Sequence, residues 1–205
     1  MRAILRRAGR WFSPVSLTLA GLCFLLPFVT VSCDAPGGYG RATAGGTTTY
    51  NGVDLMVGGE PDVSPPDRVR ALPAGQDDRL WPQPTAIAVF VALVIGVGIA
   101  VRVGSQRQRR GGVAIVATAA VTALLVNQAL VEGALTARVA DGLTAPLPAG
   151  KRAGDFVHTG AGFVACAALL VLAGVLNAIG WWRLRPRALP AAEATVPNPT
   201  LIDSG

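Results

Sequence analysis

Four apolar runs without a single Asp, Glu, Lys or Arg punctuate this sequence, at 14–32, 84–101, 111–131 and 159–182. A helix needs about 20 mostly apolar residues to cross about 30 Å of hydrocarbon. The runs therefore predict an all-α membrane protein, a bundle of four transmembrane helices drawn at 14–32, 84–103, 111–132 and 159–182. Composition agrees, since 51% of the 205 residues are hydrophobic and only 15% charged, too apolar for an ordinary soluble domain.

Charge sets the expected orientation, because Lys and Arg collect on the cytoplasmic side of spanning helices. The segments 1–13, 104–110 and 183–205, with Arg102 at the junction, carry eleven arginines against Glu193 and Asp203. The segments 33–83 and 133–158, with Glu132 at the junction, carry seven basic residues against ten acidic ones. A multi-pass protein of the plasma (inner) membrane with both termini cytoplasmic follows. The net charge of +6 would suit a nucleic-acid binder, but here the arginines flank apolar runs and do not accompany base-reading side chains, so nucleic acid is not an expected partner. Trp11, Phe12, Trp81, Trp181 and Trp182 fall at run boundaries, where amphipathic rings favour the headgroup level. Ser13 before Pro14 reads as a helix N-cap, Thr159 as the cap of the last helix, and Pro27 as a kink in the first.

The first 33 residues also admit a secretory reading, with an Arg-rich start, an apolar stretch and Thr30-Val31-Ser32-Cys33 in the manner of a relaxed lipobox. Cleavage before Cys33 would leave three helices and a lipidated thiol. Cys33 otherwise reads as a buried small residue or an intermolecular thiol. Cys23 and Cys166 lie inside apolar runs, and no CxxC pair is present, which disfavours thiol redox chemistry.

In the first outer loop, 33–83, Asn51-Gly52 sits between stretches of high strand propensity and predicts a small β-hairpin near 46–58, with Leu55 and Val53 or Val57 on its buried face. Positions 58–78 lack the apolar residues for a core of their own and read as a connector. The third helix is expected to run on through Ala140 before Pro146 and Pro148 turn the second loop. The tail 183–205 reads as disordered.

Close helix packing in lipid depends on small residues. Ala88, Ala92, Gly96 and Ala100 form one such stripe, Gly162, Cys166, Gly174 and Ala178 another, and Ala119, Ala123 and Asn127 a third. They read as bundle contacts, with a homo-oligomer face as the second reading.

The polar residues worth weighing are few. Glu132 and His158 meet the outer surface from successive helices and could form an acid–base pair, with Asn127 and Gln128 lining a small pocket nearby; the bland reading is interface charges and helix-bridging amides. Tyr50 and Asp54 are hairpin residues able to contact a partner. One histidine and no carboxylate cluster give no metal set, and no GxxxxGK[ST], GxSxG or HExxH occurs, so no cofactor is expected.

The helix end PFVTVSC followed by YNGVDLMVGG resembles a pattern in uncharacterised small four-helix membrane proteins of high-GC, actinobacterial-type bacteria. That resemblance implies the same topology and an outward GVDL hairpin, and brings no activity with it. The layout is also loosely similar to claudin-like proteins, without their paired loop cysteines or Trp motif. Together these readings favour a non-catalytic membrane protein, in contact with lipid, whose outer loops meet a protein partner or envelope component. The alternatives are a small-solute transporter or channel subunit, and a membrane enzyme using Glu132 and His158.

Overall fold

The computed structural model describes residues 2–34, 39–72, 78–143, 145–147 and 149–184. The chain is mostly helical. Helices α1 (Arg2–Leu22), α3 (Pro84–Arg102), α4 (Gln106–Asp141) and α5 (Ala161–Arg183) form the bundle. A short helix α2 (Gly52–Val57) and strands β1 (Pro27–Ser32), β2 (Thr47–Asn51), β3 (Asp62–Ser64) and β4 (Val157–Thr159) gather at one end. The tail expected to be disordered falls outside the described residues from position 185 onward.

The helices close a ring: α4 packs against α3 and α5, and α1 packs against the other sides of the same two. Along α4 the buried residues Val113, Ala117, Ala120, Leu124, Asn127, Val131 and Leu135 recur every three or four positions, the spacing that keeps one seam facing its neighbours. Among the described residues, α3, α4 and α5 are long and apolar enough to cross a membrane, and only 28%, 33% and 28% of their apolar windows are buried. Most of that apolar surface therefore faces outward, through side chains such as Val94, Ile95, Leu125, Val126, Val171 and Leu172. The interior meanwhile holds Asn127, Gln128 and Asn177, a distribution suited to an apolar surrounding.

The first run departs from expectation. Helix α1 stops at Leu22, a 3-10 turn covers Cys23–Leu25, and 27–32 is a strand and not the end of a kinked helix. Proline accounts for the break: it offers no N–H and disfavours helical backbone in the residue before it, and Leu26 is indeed extended at φ −92°, ψ 162°. The β-branched and aromatic stretch that follows then pairs on both sides. At its start α1 reaches back to Arg2, so Ser13 and Pro14 lie inside it and cap nothing. The Ser13 hydroxyl instead donates to Asn177 Oδ1 at 3.0 Å, joining α1 to α5. Thr159 likewise belongs to β4, and the N-cap of α5 is Gly160.

All strands pair antiparallel in the order β3-β2-β1-β4. In the β1–β2 register Val29 faces Tyr50 and Val31 faces Thr48, and all four are fully buried. The Asn51-Gly52 hairpin is not formed; β2 ends there and α2 begins. Asn51 caps that helix, its side chain accepting from the Asp54 N–H at 2.8 Å while Asp54 accepts from the Asn51 N–H at 3.0 Å. This reciprocal box satisfies two otherwise orphaned donors and outcompetes the tight turn. Gly52 serves a contact there, since a Cβ would sit 2.7–2.9 Å from Phe24. Of the expected apolar face only Leu55 is buried, while Val53 and Val57 are exposed.

The small-residue stripes are used in part. Gly96, Ala100, Gly162 and Cys166 face the interior, whereas Ala88, Ala119 and Ala178 are exposed.

Candidate functional site

Polar chemistry concentrates at the sheet end, in two groups. The first sits where α4 meets β4. Gln128 and Glu132 are one helical turn apart on α4, so their side chains share a face. Glu132 Oε1 accepts from Gln128 Nε2 at 2.7 Å and from the Thr159 hydroxyl at 2.7 Å. Gln128 Oε1 is buried without a hydrogen-bond partner among the described residues. Asn127, one position earlier, points elsewhere: its Oδ1 accepts from Thr85 of α3 at 2.7 Å, so it bridges helices.

His158 does not join Glu132. It is exposed on β4 opposite Thr30, and successive strand residues face opposite sides of a sheet, so the alternation that aims Thr159 at Glu132 aims His158 away. No hydrogen bond or ion pair links the two among the described residues. The acid–base pair expected from the sequence is therefore not assembled.

The second group fastens the long loop together. Tyr50 is fully buried, and its hydroxyl donates to the Asp78 carbonyl at 2.6 Å. With that proton committed, the Tyr39 hydroxyl donates to Tyr50 across 3.2 Å. Burial pushes both phenols up, so they act as hydrogen-bond donors and not as bases. The Asp78 carboxylate, also buried, accepts from Arg41 Nε at 2.9 Å. Arg41 further pairs with Glu60 and donates to the Pro61 carbonyl at 3.2 Å. Its hydrogen bond with Asp78 is the main cause that raises the guanidinium pKa. Arg79 lies 3.6 Å from Glu60, and Arg138 of α4 donates to the Arg79 carbonyl at 2.9 Å. These contacts tie 39–42, 60–63 and 78–80 to the bundle and shape an open cleft of about 300 Å³ lined by Arg41, Glu60, Pro61, Asp62, Val63 and Val69.

The remaining candidates take structural places. Tyr50 is a core anchor, and Asp54 is the capping carboxylate of α2, its pKa raised by burial. Cys33 is fully buried, with Sγ 3.8 Å from the Val31 carbonyl and 3.9 Å from that of Tyr39. Burial raises its pKa above that of a free thiol, which keeps it protonated at neutral pH. An impermeant maleimide at pH 7.5 should therefore leave Cys33 unmodified in the folded protein, by peptide mapping, and modify it once denatured; reaction at the rate of an exposed cysteine would refute its burial. Lipidation of Cys33 would require cutting the chain before it, taking β1 out from between β2 and β4.

Sequence reasoning missed Tyr39, Arg41 and Asp78, and no residue spacing marks them. Thr159 was legible only as a helix cap. Comparison with known proteins found no matching family model, no matching curated protein and no matching solved structure.

Proposed function

We propose that this is a non-catalytic integral membrane protein whose four bundle helices cross the bilayer with the arginine-bearing end in the cytoplasm, and whose outward sheet end contacts a protein partner or envelope component. The observation that carries the reading is the fastened loop. Helix–helix connections in bundles need only about 2–8 residues. Here 23–83 separates α1 from α3, and the half-buried Arg41–Asp78 pair and the Tyr39–Tyr50 clamp fasten its described parts together, with a polar cleft at their surface.

The fourth crossing rests on α1 and the start of β1 together. The apolar helical stretch Phe12–Leu25 has 14 residues, about 21 Å at 1.5 Å per residue. Three extended residues, Leu26 to Phe28, add about 10 Å at 3.3 Å each, which brings the total to the hydrocarbon thickness. Non-helical backbone at that depth must have its polar groups satisfied within the protein. Here the Leu26 N–H donates to the Cys23 carbonyl, Pro27 has no N–H, and the Phe28 carbonyl accepts from the Gly160 N–H at 2.7 Å. Val15, Leu19, Leu22, Leu25 and Leu26 are exposed and extend the apolar belt of the other helices. In this reading residues 1–32 remain attached, as α1 followed by β1.

A photo-crosslinking residue in place of Val63, in the cleft, tests the assignment in the native membrane, with one in place of the exposed Ile115 as a lipid-facing control. The cleft position should capture a discrete partner that the control does not. Identical patterns from the two positions would overturn the reading.

A further inference from the structure

We propose that the arginine end of the bundle is a binding surface for anionic phospholipid, with its headgroup site on the exposed arginines beside the seam between the start of α4 and the end of α5. The proposal rests on the membrane reading above and adds a lipid class to it. Segments 1–33, 79–131 and 156–192 contain no Asp or Glu at all. Every helix end at this side of the bundle lies within them: the start of α1, the end of α3, the start of α4 and the end of α5. Arg102, Arg107, Arg110 and Arg183 thus stand at helix ends on one side of the bundle, in segments that carry no carboxylate.

The seam between these helix ends is close-packed. Gly180 of α5 leaves room for the Arg110 side chain, since a Cβ there would collide with its guanidinium. One residue on, the Trp181 ring lies over Gly111 of α4, 3.2 Å from where a Cβ would stand. Small residues on each helix therefore admit a large side chain from the other, an arginine beside an indole. Arg102, Arg107 and Arg183 are exposed and form no ion pair among the described residues. Near them along the helices Val101, Ile115, Ile179 and Trp182 are exposed, which provides apolar surface for acyl chains next to the guanidinium groups.

A phosphodiester headgroup fits that arrangement chemically. Guanidinium binds phosphate oxygens through two parallel N–H donors, and indoles favour the same depth. An anionic headgroup also supplies the net charge that a zwitterionic one lacks, worth about fivefold in affinity per arginine near the surface.

The full chain, purified in nanodiscs of equal parts phosphatidylglycerol and phosphatidylcholine and released for native mass spectrometry, should retain phosphatidylglycerol preferentially. Arg107→Gln with Arg183→Gln, both exposed and outside the packed core, should lower that retention roughly 25-fold, as two fivefold steps. Adding Arg110→Gln should lower it further, while Lys151→Gln at the sheet end should leave it unchanged. Equal retention of both lipids by the wild type, or undiminished retention by the double variant, would overturn the proposal. So would displacement of the lipid by millimolar inorganic phosphate or by single-stranded DNA, since either would make the rim a general anion site. Labelling of Asp67→Cys by an impermeant maleimide in intact cells reads the orientation separately. Outward labelling with no lipid preference sinks the lipid site alone, and inward labelling with the preference intact sinks only the orientation.

Discussion

Gly162→Leu is expected to remove the folded protein from detergent extracts, and Gly160→Val to do the same. A Cβ at Gly162 would lie 2.8 Å from the Pro27 carbonyl oxygen and 2.9 Å from both the Cβ and the carbonyl oxygen of Leu26. At Gly160 it would lie 2.9 Å from the Phe28 carbonyl carbon. Two of these three residues belong to β1, and backbone at the start of a paired strand cannot move aside as a side-chain end can. Separating α5 from β1 also breaks the bond from the Gly160 N–H to Phe28 and the β1–β4 pairing beside it. A loss above about 4 kcal/mol is expected, a large share of the roughly 5–15 kcal/mol that holds a typical domain. Gly133→Ala, with nothing within 4 Å of the new Cβ, is the control and should gain up to about 1 kcal/mol of helix propensity. Thermal unfolding followed by fluorescence-detected size exclusion reads both, and a wild-type transition for Gly162→Leu would show that α5 does not rest on β1 as described.

The same glycines show what was legible in advance. Gly96, Gly162 and Gly174 all lay in small-residue stripes, yet a Cβ at Gly174 would meet only Ala117 Cβ at an ordinary 3.5 Å, while one at Gly162 would strike backbone. A stripe records that close approach is permitted; only the fold says where it happens. The apolar runs were more informative, because desolvating a helix backbone constrains a whole segment at once. The expected 84–103 became Pro84–Arg102 and the expected 159–182 became Ala161–Arg183. The run 14–32 misled because hydropathy does not distinguish helix from strand. Its last six residues are as apolar as a helix end requires, while Pro27 and the β-branched residues after it prefer an extended chain.

The site was less legible, for a different reason. Asn51-Gly52 fits a two-residue turn, and Asn51 with Asp54 three residues later fits a capping box equally well; the contact of Gly52 with Phe24 favours the second. Asp78 and Arg41 are separated by a long stretch of chain, and nothing in the sequence pairs them. Asp78 is buried and accepts from Arg41 only in the folded loop, which no local pattern announces. Thr159, next to His158, is the residue that reaches Glu132, and which of the two faces the carboxylate depends on strand register, where a shift of one residue exchanges the two faces.

Tyr50→Ala should unfold the sheet end while leaving the helices in place. Tyr50 is fully buried opposite Val29, and its hydroxyl stands between Tyr39 and the Asp78 carbonyl. Truncating a buried aromatic ring costs about 3–5 kcal/mol. Removing only the hydroxyl, in Tyr50→Phe, leaves the buried Asp78 carbonyl without that donor and should cost about 1–3 kcal/mol. The interhelical bonds Ser13–Asn177 and Thr85–Asn127 involve no sheet residue, so helical circular dichroism should persist in both variants. Cys33 reports the difference, because its shelter is made by β1, the Tyr39 segment and the β2 side of the sheet. In Tyr50→Ala the thiol should react with an impermeant maleimide at close to the denatured rate, and in Tyr50→Phe it should react slowly. If Cys33 stays protected in Tyr50→Ala, the clamp does not hold the loop, and the argument that the loop is built as a binding surface loses its support.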